Sequence, residues 1–197
     1  EAGGEILAHA YSLGGLCSSV NAPLAAGLRF LDNRGKPTGG KMSKSLARVR
    51  AALQAAGVTH APLEMPGETR TAEQAAQAAG CHLDQIVKSI LFSGASGQLF
   101  LFLTAGGNQV DGSKASALAG EPLGRADAQQ VRTVTGFAIG GVAPLGHLTP
   151  LPLWMDPKLC EFDTVWAAAG TPRHIFSIAP QALAQITGAV LAPFTAQ

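Results

Sequence analysis

The chain of 197 residues is long enough for one domain with a sizeable core and too short for several. With 47% hydrophobic and 14% charged residues, 24 Gly and 12 Pro, it is a turn-rich folding chain, which excludes a long disordered or coiled-coil protein. A formal net charge of +1 gives no global field for an obligate polyanion binder, so any nucleic-acid contact has to be local.

Residues 5 to 28 are apolar, but Glu1 and Glu5 stand where a secretory leader is basic, and the secretory reading is rejected. No run reaches the roughly 18 uninterrupted apolar residues of a membrane-spanning helix. Cys17, Cys81 and Cys160 are odd in number, far apart and in no CxxC pair, which argues against a disulfide framework or a structural zinc and fits a reducing cytoplasm. Basic residues gather at Arg29, Arg34, Lys36, Lys41, Lys44, Arg48 and Arg50 against Asp32 alone, as a solvated linker or a local polyanion contact. Within that run, Asp32 to Lys41 is turn and linker chemistry, so a boundary is expected near Met42. Residues 1–41 then read as an N-terminal extension, weakly structured or not part of the native domain, and residues 42–197 as the domain.

After Met42 the periodicity sharpens. Ser43 or Ser45 can cap a helix with Leu46, Val49 and Leu53 on one face, ending at Gly57. Val58 to Leu63 reads as a strand. Thr71-Ala-Glu-Gln74 is a capping box opening an Ala-rich helix that stops at Gly80. Strands Gln85–Phe92 and Gln98–Thr104 form a hairpin around Ser93 to Gly97. Asp111 or Ser113 starts a helix to Ala119, and Asp127 caps another reaching Thr135 before Gly136. Strands are expected at Leu151–Met155, Thr164–Ala168 and Arg173–Ile178, then a helix from Pro180 to Thr187 and a strand at Ala189–Ala192. Helices and strands intermingle without a regular βαβ rhythm, which predicts an α+β fold: a mixed, largely antiparallel sheet with helices packed around it.

Two features could carry chemistry. Strand alternation puts Lys88 on one side with Ile86, Ile90 and Phe92, a cation on an apolar face. Burying an unpaired ammonium is costly, so either its stem snorkels to an edge or a cleft sets an anionic or carbonyl partner opposite it. The second is the loop Thr135 to His147, where Gly140, Gly141, Pro144 and Gly146 can expose backbone amides to an oxyanion, or simply make a surface turn. Gly106-Gly107 ahead of Lys114 is superficially like a phosphate-binding loop but lacks the Gly-Lys-Ser/Thr ending. Cys81 and Cys160 have no neighbouring base, and His9, His60, His82, His147 and His174 show no paired ligand spacing, so neither a covalent nucleophile nor a metal is indicated.

In this order the blocks Arg70-Thr-Ala-Glu-Gln-Ala-Ala, Gln85 to Phe92, Val110-Asp-Gly-Ser-Lys114, Thr135 to Gly146 and Val165 to Thr171 resemble the YbaK/ProX-like aminoacyl-tRNA deacylases, relatives of the editing domain of bacterial prolyl-tRNA synthetases. The likeness runs from about Met42 to the C-terminus. It implies a cytoplasmic, cofactor-free hydrolase that frees a wrongly attached amino acid from the 3′ end of a tRNA. The amino acid would be small, such as Ala, Ser, Thr, Cys or 2-aminobutyrate, on tRNA-Pro or a related species. Catalytic roles fall to Lys88, meeting the carbonyl or terminal ribose-phosphate, and to Gly140 and Gly141, whose loop amides would stabilise the oxyanion. Arg70, Asp111, Lys114, Pro144, Gly146 and His147 would bind substrate, although Asp111 and Lys114 read equally as a helix start with its cap. His147 could be pocket wall, base or surface; the cysteine-specific branch tends to carry a polar amide there, which counts against a cysteinyl substrate. The implied partners are the tRNA acceptor end and, at most, a synthetase, for a monomer or weak dimer away from membranes. A non-catalytic tRNA- or synthetase-binding module is the competing reading, and hydrolysis of a free small ester a third.

Overall fold

The computed structural model describes residues 42–67 and 71–196. The extension 1–41, with Cys17 and most of the basic run, and Arg70 lie outside the described residues. In chain order the elements are α1 (Lys44–Ala55), β1 (Leu63–Glu64), α2 (Ala72–Ala79), β2 (Ile86–Gly94), β3 (Leu99–Ala105), α3 (Gly112–Ala119), β4 (Leu123–Arg125), α4 (Ala128–Thr135), β5 (Leu153–Met155), β6 (Val165–Thr171), β7 (His174–Ile178), α5 (Pro180–Thr187) and β8 (Val190–Leu191). Short 3₁₀ turns occupy Leu83–Gln85 and Pro157–Glu161.

Helix starts follow local chemistry. The side chains of Ser43, Thr71, Asp111 and Asp127 each accept backbone N–H groups from the first turn of α1, α2, α3 and α4, the groups a helix otherwise leaves unpaired. The expected strand Val58–Leu63 shrinks to Leu63–Glu64, paired with Ile175 and His174 of β7. Pro62, with no N–H to give a ladder, stands immediately before it. The expected strand Ala189–Ala192 narrows to Val190–Leu191, and β4 is an addition that its three residues, one of them glycine, did not signal.

The sheet runs β1-β7-β6-β2-β3-β5-β8, with β4 beside β2. Its spine is the antiparallel hairpin β2/β3, in register from Val87↔Ala105 to Ser93↔Leu99. Alternation along β2 is as read from the sequence. Val87 and Leu91 join Leu99, Leu101 and Leu103 on the face covered by α1, α4 and α5. Ile86 packs on the opposite face against Ala75 and Ala76 of α2, while Ile90 and Phe92 join Phe100, Phe102 and Phe194. Lys88 therefore lies in the seam between two apolar clusters.

The outer edge of β2 is interrupted. Parallel β6 pairs with it only at Ile86↔Trp166 and Val87↔Ala167, and β4 only at Phe92, Ser93 and Gly94. Among the described residues, 88–91 have no ladder partner on that edge, and the sheet opens there into a notch.

Candidate active site

The notch holds a cavity of about 390 Å³. Residues 86–90 of β2 form its floor, Trp166, Ala167 and Ala168 of β6 one wall, and Thr71, Ala72 and Ala75 at the start of α2 another. Ile139, Gly140 and Val142 reach in from the glycine loop, and Thr171, His174 and Ile175 from the β6–β7 turn. The floor is polar along one line. Gly94 N–H donates to Gln98 O on the β3 side and Ala95 N–H to Pro122 O on the β4 side, so alternation aims the N–H groups of Ser89 and Leu91 into the notch. The buried Ser89 Oγ has no hydrogen-bond partner among the described residues. A buried hydroxyl is seldom left unpaired, and at a cavity wall a bound molecule can satisfy it.

Lys88 lines this cavity half-buried, its ammonium donating to the Asn108 carbonyl. Of the two arrangements open to a cation on that face, the structure has the carbonyl partner. Burial pulls its pKa below the ordinary lysine range, while the charges of Glu73, Asp84 and Asp156 oppose the fall.

The glycine loop is held by α1. Arg48 donates from Nη2 to Gly136 O at 2.7 Å and from Nε to Gly146 O at 3.2 Å, and Ser45 Oγ adds a bond to Gly136 O at 3.3 Å. Gly136 (φ 74°) closes α4 in the left-handed region, which turns its carbonyl toward these donors. His147 donates from Nε2 to Ala143 O at 2.7 Å, which fixes the tautomer, and sets its ring edge-on to Phe137. Burial and the nearby Arg48 charge hold its pKa below the usual histidine range, partly offset by the Ala143 bond.

The expected site residues divide. Lys88 and Gly140 line the cavity. Gly141 supports it from behind: a Cβ there would come within 3.0 Å of the Thr171 backbone, and its N–H already donates to Ala138 O. That amide is spent inside the loop, so the structure does not offer it to an oxyanion. Pro144, Gly146 and His147 are not among the lining residues; Gly146 and His147 brace the loop by the contacts above. Asp111 and Lys114 do not line the cavity either. Asp111 accepts the Ser113 and Lys114 N–H groups as the α3 cap, and Lys114 Nζ ties down Thr195 O at 2.8 Å, so the helix-cap alternative describes their geometry.

Several lining residues went unread in the sequence. Thr171 and His174, which share a hydrogen bond at 2.7 Å, flank the Pro172-Arg173 turn; polar residues on both sides of a tight turn were the available signal. The His174 pKa is lowered by burial, with Glu64 acting against the shift. Ser89 and Trp166 gave no signal beyond strand membership. Cys81 and Cys160 are free, half-buried and outside the lining, with thiol pKa values raised by burial. Among the described residues no group of three or more His, Cys, Asp and Glu side chains is placed to hold a metal ion, and no helix is long and apolar enough to cross a membrane.

A family model described as "Aminoacyl-tRNA editing domain" matches residues 66–186. The uncharacterized protein YwhH of Bacillus subtilis (strain 168) is 31% identical over 124 residues, 63% of this chain and 79% of that protein. A solved structure named, provisionally, as a trans-editing enzyme for prolyl tRNA synthetase is 46% identical, with a TM-score of 0.75 over 80% of this chain and all of that one. The structure of hypothetical protein APE2540 is 28% identical, with a TM-score of 0.71 over 76% of this chain and 99% of that one.

Proposed function

Because the chain belongs to the aminoacyl-tRNA editing domain family, we propose that it is a free-standing editing hydrolase that removes a wrongly attached small amino acid from tRNA. The observation that carries this reading is the notch in β2, where the Lys88 ammonium, the inward N–H of Ser89 and the glycine loop meet around one cavity, with the Leu91 N–H farther along the same unpaired edge. An ester carbonyl entering the notch meets N–H donors on the floor and a cation beside them. Water attack turns that carbonyl oxygen into an oxyanion, and donors already fixed in a half-desolvated site favour it over the neutral ester. An ammonium has three N–H groups, so Lys88 retains donors for the oxyanion or the terminal ribose-phosphate after bonding Asn108.

Water is the nucleophile in this account, since both described thiols lie outside the cavity with raised pKa values. His174 and Thr171, on the wall formed by the β6–β7 turn, are the groups placed to orient that water or the vicinal ribose hydroxyl. Size exclusion gives specificity. Ala72, Ala75, Val142, Trp166 and Ala168 make the walls apolar, and the contact of Gly141 with the Thr171 backbone keeps the loop from retreating to admit a larger side chain. The substrates are Ala, Ser, Thr, Cys or 2-aminobutyrate on tRNA-Pro or a related tRNA, met in trans in the cytoplasm, with a synthetase as a further partner.

A panel of mischarged tRNAs assayed for amino-acid release tests the reading. Release of one or a few small residues, with correctly charged tRNA spared, supports it. Tight tRNA binding without release from any of them would favour a non-catalytic module.

A further inference from the structure

Gly106, Gly107 and Asn108 form the turn after β3; backbone leaves no room for a larger residue at Gly106, and at Gly107 one would displace the Asp84 carboxylate. A Cβ on Gly106 would stand 2.1 Å from the Leu83 carbonyl oxygen, and one on Gly107 2.6 Å from Asp84 Oδ1. The turn is tied down on several sides. Gly107 N–H donates to Asp84 Oδ1 at 2.8 Å, Asn108 N–H to Ala105 O at 3.0 Å, and Asn108 Nδ2 to Asp156 Oδ2 at 2.8 Å. Asp156 is only 2% exposed, and it also accepts the N–H groups of Ala105 at 3.2 Å and Lys158 at 3.0 Å. A carboxylate so deeply buried is expensive to keep, and here its hydrogen bonds join β3, the turn and the 3₁₀ turn at Pro157–Glu161. The carbonyl that this turn presents to β2 is the one that accepts from Lys88.

We propose that Asn108 and Asp156 are positioning residues for Lys88: together they fix the carbonyl that holds the ammonium at the cavity wall, and Asp156 sets a negative charge behind it. This rests on the reading of Lys88 as the group that meets the ester. Neither positioning residue lines the cavity, so both act through the lysine. The charges of three carboxylates act on Lys88: Glu73 of α2, Asp84 of the 3₁₀ turn before β2, and Asp156, which follows β5. All three favour the ammonium against a burial that disfavours it. Asp84 holds the same turn through Gly107, whereas Asp156 holds it through Asn108, the residue whose carbonyl accepts from Lys88. Without that anchor the long lysine side chain regains its rotamers, and a group aimed at a developing charge loses its aim.

The test uses the full chain carrying Asn108→Ala or Asp156→Asn, with Lys88→Ala as reference. One readout is amino-acid release from mischarged tRNA across pH. The other, independent of activity, is an NMR titration of lysine side chains labelled at the ε carbon, with the Lys88 signal identified by its loss in Lys88→Ala. Both variants are expected to lower kcat about tenfold with KM within about twofold, and neither should slow Lys88→Ala further. Asp156→Asn is expected to move the Lys88 titration, and the alkaline limb of kcat, to lower pH, because a charge that favours the ammonium is gone. Asn108→Ala keeps that charge and leaves the titration in place, while its Lys88 signal narrows as the side chain gains motion. Folded variants with an unchanged Lys88 signal and wild-type kcat overturn the proposal. Should Asp156→Asn fail to fold, Asn108→Ala decides alone by its signal width and kcat. Signals that change as expected in a protein that hydrolyses no mischarged tRNA leave the positioning standing and remove the editing reading instead.

Discussion

The guanidinium carbon of Arg48 lies 4.9 Å from the centroid of the Phe137 ring, and from that position the fork donates to Gly136 O and Gly146 O, at the two ends of the glycine loop. One side chain of the first helix thus closes the loop that forms the roof of the cavity. Replacing the planar fork by a point charge gives up one of the two bonds and the stacking on the ring. Arg48→Lys should cost about 1–2 kcal/mol of stability in urea unfolding and lower kcat/KM several-fold. A variant with wild-type stability and activity would mean that the loop is held by its other contacts.

The same contact bears on where the domain begins. Ser43 caps α1, and α1 buries Leu46, Val49 and Leu53 while Arg48 reaches the loop, so α1 is part of the packed core. A chain starting at Met42 should fold cooperatively and keep its activity. Precipitation or loss of cooperativity, with the full chain stable, would assign residues 1–41 a structural share.

Gly141 tests the roof from the other side. A methyl group there would meet the Thr171 backbone at 3.0 Å, and backbone cannot swing away as a side chain does. Gly141→Ala should shift the loop and reduce kcat/KM about tenfold, affecting the larger accepted substrates first. Equal rates for all substrates in a folded variant would separate the loop from size selection.

What was legible in the sequence was local. Thr71 and Asp127 announced their helices because a cap bonds only two or three residues ahead, while the structure chooses Ser43 over Ser45 and Asp111 over Ser113. Lys88 stood out because strand alternation needs no tertiary information. Arg48 read only as part of a basic run, since its carbonyl partners lie 88 and 98 residues away. The cavity was equally hidden: it exists because β2 and β6 separate after two paired residues, which no pattern within either strand encodes. Asp111 and Lys114 read equally as substrate binders or as a helix start with its cap, and their partners are the start of α3 and Thr195.

His147 predicts a pH dependence. Its pKa is lowered in the fold, chiefly by burial, so as pH falls below the ordinary histidine value of about 6.5 the unfolded chain takes up the proton first. Stability is therefore full above that pH and declines as acid approaches the folded pKa, with His174 contributing in the same direction. His147→Gln, an amide able to reach the Ala143 carbonyl, should shrink the fall in Tm between pH 7.5 and 5.5, a range chosen to span about that value. An unchanged slope would show that other groups govern the acid limb.

In the proposed reaction Lys88 serves the substrate and not the fold. Removing a half-desolvated ammonium relieves a burial cost, so Lys88→Ala should remain folded. Losing one charged contact made in the transition state should cost about 3 kcal/mol, roughly a hundredfold in rate. Lys88→Arg should not restore full rate, because a planar fork does not take the place of a compact ammonium. The decisive measurement is therefore kcat for Lys88→Ala on the best substrate of the mischarged-tRNA panel, taken beside its thermal unfolding. A roughly hundredfold loss with an intact fold is the predicted result; near wild-type kcat, or an unfolded protein, would contradict the account.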